Sequence, residues 1–184
     1  MSDQIERTAE SIAERALALG IRIGCAETFT SGLIASYLGR ASRADEWFAG
    51  GIVAFGDDVK CQLLKVANGR MITAKCASAM ATGTTSALRV QHAVAVVGVG
   101  GPETVEGRSP GTVFIGLATG TRGRSLEFHF SGDRADVVEE ATHVALLALL
   151  ARIGGEGSAT ASGSVAKVDV SPTRPGSGDH PSRG

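Results

Sequence analysis

Residues 92–99, HAVAVVGV, hold an apolar run, Ala93 to Val97, that reaches Gly98 without a polar residue. A strand of this composition has no polar face to give to water, so both of its faces must be covered by other elements. The neighbouring segments have the periodicity to supply that cover. Ile5, Ala9, Ile12, Ala13, Ala16 and Leu19 recur at helical spacing, predicting a helix over 3–19. Asp3 and Glu6 give a capping-box pattern at its start, and Gly20 stands where a left-handed C-cap is needed. Strands are expected at 21–26 and 50–55, with helices near 32–39 and 57–64. Thr73 should cap a helix reaching about Leu88, whose many alanines permit close approach to a neighbour. Two further strands, 111–118 and 124–130, are joined through Gly120 and Gly123 and should pair antiparallel. Asp133 opens a last helix whose apolar face includes Val137, Ala141, Val144, Ala148 and Leu149. The alternation predicts an α/β fold, a three-layer α/β/α sandwich with a mixed, mainly parallel sheet over residues 1–153. Seven of the last 31 residues are Gly, six Ser and three Pro, so 154–184 reads as a disordered tail.

Composition narrows the function classes. The 184 residues carry a formal net charge of −1 and only 4% aromatics, which argues against a basic or base-stacking nucleic-acid binder. No apolar run is long enough to span a bilayer, and the polar start MSDQIERTAES is unlike a secretory signal, so a cytoplasmic location is expected. Cys25, Cys61 and Cys76 are odd in number and widely spaced. They suggest neither a disulfide framework nor a metal site, and they read as small apolar residues.

Three segments with chemical potential follow the three expected parallel strands, where ligands of open α/β sheets bind. The turn Ala26-Glu27-Thr28-Phe29-Thr30-Ser31-Gly32 brings three hydroxyls to a helix start, a setting suited to a nucleophile or an anion. A plainer reading is that Thr28 or Thr30 caps the helix. In Phe55-Gly56-Asp57-Asp58-Val59-Lys60 the aspartates can cap a helix, while Lys60 opposes the helix dipole and so hints at a ligand role. Gly98-Val99-Gly100-Gly101-Pro102 lets main-chain amides approach an oxygen ligand, although tight turns need glycine as well. It is neither a Walker loop nor a GxGxxG fingerprint.

Taken in order, these segments resemble a known family. The AE-x-x-T-x-G turn, Lys60-xx-Leu63-Leu64-x-Val66, Ala79-Met80-Ala81-x-Gly83, Val97-Gly98-x-x-Gly101-Pro102, Gly111-Thr112-Val113 and Phe130-x-Gly132-Asp133-Arg134 resemble the CinA C-terminal domain family over about residues 4–150. Its characterised members include bacterial nicotinamide mononucleotide deamidase. The resemblance implies hydrolysis of a carboxamide to carboxylate and ammonia, without metal or cofactor. It also implies a hydroxyl nucleophile at Thr28, assisted by Lys60 and by the residue at Phe55. The family's serine is Thr28 here, its tyrosine Phe55, the threonine before the glycine loop Val97, and the first glycine of its TGG triplet Ser31.

The expected catalytic set is therefore Thr28, Lys60 and Ser31, a hydroxyl of Ser31 or Thr30 standing in for the missing tyrosine. Glu27, Thr30, Gly32, Phe55, Gly98, Gly100, Gly101, Pro102 and Arg134 are the expected substrate-binding residues, with Arg134 and the glycine loop suited to a phosphate. Three functional readings stay open: a divergent amidohydrolase, a non-catalytic binder of a nucleotide-sized molecule, and an oligomeric interaction protein. The partners expected are a small-molecule substrate of the pyridine nucleotide class and further copies of the chain, with no nucleic acid and no membrane. Trp47-Phe48, read as an exposed pair in a connecting segment, suggests an interface; packing against the core is the alternative.

Overall fold

The structure, a computed structural model, describes residues 1–155 and the backbone of Ala166–Asp169. Its elements are α1 (Ser2–Leu19), β1 (Ile23–Glu27), α2 (Leu33–Arg40), α3 (Ala44–Trp47), β2 (Phe48–Val53), α4 (Asp57–Leu64), α5 (Ala74–Leu88), β3 (His92–Gly98), β4 (Thr112–Thr119), β5 (Arg122–His129), α6 (Arg134–Gly154) and β6 (Ala166–Asp169). The strands form one mixed sheet in the order β2-β1-β3-β4-β5-β6. β1 runs parallel to β2 and β3, β4 lies antiparallel between β3 and β5, and β6 adds parallel to β5. The apolar run at 92–99 is β3, buried on both faces in the middle of the sheet. One core layer packs α1, α2, α3 and α6 on Cys25, Val94, Val96 and Ile115, and the other packs α4 and α5 on Ala26, Ala95, Val97 and Phe114. The α/β/α sandwich follows from this alternation of strand residues between two helical layers.

The small residues of α5 do what their size allows. A Cβ on Gly116 of β4 would collide with the main chain of Ala77, so the helix lies directly on the strand. Gly20 ends α1 at φ 62°, Thr73 caps α5 through the Cys76 N–H, and Asp133 opens α6 in a capping box with Asp136. Three expectations are corrected. α1 begins at Ser2 with Met1 as N-cap, so Asp3 lies within the first turn and its capping box with Glu6 does not form. α4 is capped by the Gly56 backbone, with no capping bond from either aspartate. Trp47 is not exposed: it ends the short helix α3 within the core and donates its indole N–H to the Ser42 carbonyl at 3.0 Å. A four-residue helix is too short to announce itself by periodicity. The expected disordered tail lies mostly outside the described residues; within it, Ala166–Asp169 pair as an edge strand. Among the described residues no helix is long and apolar enough to cross a membrane.

Candidate functional site

The order of the strands decides where a ligand can enter. β1 leads into α2 on one face of the sheet, and β2 leads into α4 and α5 on the other. The connections diverge on either side of β1, and such a divergence opens a crevice beyond the carboxyl ends of the parallel strands. A cavity of about 390 Å³ lies there, within the usual range for small-molecule sites. Thr28, Phe55, Lys60, Gly98, Gly100, Gly101, Pro102 and Arg134 all line it. Glu27, Thr30, Ser31 and Gly32 are not among its lining residues.

The reason lies in the turn after β1. Glu27 is wholly buried, and its carboxylate accepts hydrogen bonds from the N–H groups of Gly32 (3.0 Å), Ile34 (3.2 Å) and Ala35 (2.8 Å). These are the unpaired amides at the start of α2, so Glu27 occupies the place that an anionic ligand was expected to take. The Cys25 thiol points at the same carboxylate from 3.8 Å. Burial first, and Glu27 second, push that thiol well above its ordinary pKa, so it stays protonated. Neither threonine caps α2, whose N-cap is Gly32. Ser31 is solvent-exposed and donates to the Phe29 carbonyl at 3.4 Å, away from the cavity. Thr30 Oγ1 is buried with no hydrogen-bond partner among the described residues. Among the described residues Thr28 is thus the one hydroxyl-bearing residue on the cavity wall. It is buried, and its Oγ1 donates to the carbonyl of Val96 at 3.1 Å.

Lys60 reaches the cavity from the first turn of α4. Its side chain is 6% exposed, and Nζ donates to Asp57 Oδ1 at 2.8 Å, with Asp57 largely in water. A buried ammonium needs such a partner, and this one also explains why lysine is tolerated near a helix start. Lys60 acts on Cys76 as well: burial pushes that thiol up to about 11, while the lysine's charge pulls the other way. Phe55 is 61% exposed beside the cavity. Val97 presents an apolar wall. Among the described residues no group of three His, Cys, Asp or Glu side chains could hold a metal ion.

The loop after β3 forms the opposite wall. A Cβ on Gly100 would come within 3.2 Å of the Phe29 ring, and Gly101 has φ 86°, so glycine lets this backbone run close to the cavity. The N–H groups of Gly100 and Gly101 make no main-chain hydrogen bond among the described residues. Arg134, at the start of α6, donates to the Gly101 carbonyl at 3.3 Å and brings a guanidinium to the rim. The sequence reading missed Met71, Ile72, Glu103, Val105 and Glu106, which also line the cavity. They lie in segments without periodicity, and no local signal marks them.

Residues 5–153 match the profile of the CinA C-terminal domain. The chain is 31% identical over 155 residues to protein YdeJ of Escherichia coli, covering 81% of this chain and 90% of that protein. It is 37% identical over 123 residues to a competence-damage inducible protein of Bacillus subtilis, covering 64% of this chain. The matched region is only 30% of the length of that Bacillus protein. A crystal structure of a CinA superfamily protein from Escherichia coli superposes with a TM-score of 0.78 at 31% identity, covering 81% of this chain and 90% of that one.

Proposed function

This chain belongs to the CinA C-terminal domain family, and from that premise we propose that it is a divergent amidohydrolase resembling nicotinamide mononucleotide deamidase. One observation carries the reading: Thr28, Lys60 and the glycine loop 98–102 line a single cavity. A nucleophile, a proton-transfer group and main-chain donors for an oxyanion are the parts that acyl transfer requires.

In the reaction proposed, Thr28 rotates away from the Val96 carbonyl and its Oγ1 attacks the carboxamide carbon. Lys60, in its unprotonated amine form, takes the hydroxyl proton as the C–O bond forms. It returns that proton to the leaving nitrogen as the C–N bond breaks, and ammonia departs. Water then attacks the ester, giving the carboxylate and restoring the Thr28 hydroxyl. The amides of Gly100 and Gly101, which have no main-chain partner among the described residues, are suited to the oxyanion, and Arg134 to the phosphate of a mononucleotide. Incubation of the protein with nicotinamide mononucleotide should release ammonia and nicotinate mononucleotide in equal amounts. Release from other small amides only would remove the nucleotide from the proposal, and release from none would remove the reaction.

The hydrogen bond from Thr28 to Val96, with apolar Phe55 and Val97 nearby, favours a second reading: binding of the same molecule without turnover. Self-association is also proposed, now without Trp47. Val53 at the end of β2, Phe55 just after it and Leu63 on α4 are exposed, and β2 is the outermost strand on that side of the sheet. Light scattering at micromolar concentration should give a mass of at least two chains; a monomer mass would dispose of it.

A further inference from the structure

One wall of the cavity is the tip of a two-residue hairpin. Val105 and Arg108 exchange both main-chain hydrogen bonds, at 3.1 and 2.9 Å. Between them Glu106 and Gly107 both have positive φ, 53° and 76°. Such a turn favours Asn, Asp or Gly at its first central position. A glutamate there works against the backbone, because a residue with a long side chain rarely adopts this conformation. The turn therefore gives no reason for the glutamate, but its side chain does.

Glu106 reaches across to the segment before α5. Oε1 accepts from the N–H of Met71 and Oε2 from the N–H of Ile72, each at 3.0 Å. Met71, Ile72, Val105 and Glu106 all line the cavity. On the other flank of the hairpin the Arg108 guanidinium lies 5.3 Å from the centroid of the Phe114 ring and 3.9 Å from Glu127 Oε1. The hairpin is thus held on both sides, and of these two sets of contacts those of Glu106 join two pieces of the cavity wall.

We propose that Glu106 is a positioning residue: its carboxylate clamps the 102–110 loop to the Met71–Ile72 backbone and so fixes the wall against which the substrate is held. The inference rests on the reading of this cavity as the ligand site. It separates from a turn-forming role because asparagine suits the turn better than glutamate yet is too short to bridge both amides.

Hydrogen exchange and kinetics on the full chain test it. In Glu106→Asn the Met71 and Ile72 amides should exchange at least about tenfold faster while core strands stay protected. The KM for nicotinamide mononucleotide should rise about tenfold, with a smaller change in kcat. Glu106→Gln, equal in length but with one acceptor oxygen, should fall between, and it serves as the test should the asparagine variant fold poorly. Unchanged exchange at Met71 and Ile72 would overturn the clamp, and faster exchange with an unchanged KM would overturn its role in holding substrate. If the wild type neither binds nor hydrolyses the nucleotide, the substrate assignment fails, and the exchange measurement alone decides the clamp.

Discussion

The double variant Thr28→Ser with Phe55→Tyr is expected to release ammonia from nicotinamide mononucleotide at least about tenfold faster than the wild type, because it restores a general acid–base hydroxyl of the kind worth ~10²–10⁴ in rate. Two features of the site set that expectation. The Thr28 hydroxyl is committed to the Val96 carbonyl, and β-branching restricts the rotation that would free it. Serine keeps the oxygen and removes the methyl. Phe55 already stands at the edge of the cavity, so a hydroxyl added to its ring meets solvent and substrate rather than packed core. Adding Lys60→Ala to the double variant should abolish the gain and drop the rate below that of the wild type, since groups acting as one catalytic unit are strongly non-additive. A gain that survives the loss of Lys60 would remove the lysine from the mechanism.

Glu27→Leu should be the most damaging single change to stability. It leaves the Gly32, Ile34 and Ala35 amides buried or half-buried without their acceptor, at about 1–3 kcal/mol for each orphaned donor. A net loss of about 4 kcal/mol is a large part of the ~5–15 kcal/mol available to a domain, and it should lower Tm by about 8–16 °C. Calorimetry with and without ligand checks it. Glu27→Gln keeps one acceptor but turns an amide N–H₂ toward backbone donors, so it should lie between. A leucine variant as stable as the wild type would mean that the carboxylate is not what holds the α2 start, and that Thr28 is positioned by something else.

Much of the fold could be read from local pattern. The apolar run at 92–99, the left-handed Gly20 and the caps Thr73 and Asp133 each follow from interactions within a few residues, and each lies where the spacing puts it. The convergence of Thr28, Lys60 and the 98–102 loop was legible too, because parallel strands deliver their following turns to the same end of a sheet. What escaped depends on geometry that no periodicity encodes. Glu27 reads from the sequence as a substrate-binding residue because it lies in the turn after the first parallel strand. Its actual partners are amides five to eight residues ahead, brought around by a turn. Ser31 reads from the sequence as a stand-in for the missing tyrosine hydroxyl, yet at φ 54° it sits on the outside of that turn. Trp47 lay in a stretch too short to show a buried face. Glu106 sits in a loop, and its role is visible only once Met71 and Ile72 are brought opposite it.

The central claim is that the Thr28 hydroxyl is the attacking group of an amide-cleaving cavity. Thr28→Val tests it most directly, since valine keeps the branched shape and deletes only the oxygen. Ammonia release from nicotinamide mononucleotide should be measured for both proteins, with nucleotide binding measured alongside. The account predicts turnover by the wild type and a fall of at least about 10³ in the valine variant, with binding largely retained. Equal ammonia release by the two proteins, or none by the wild type while it binds the nucleotide, would contradict it.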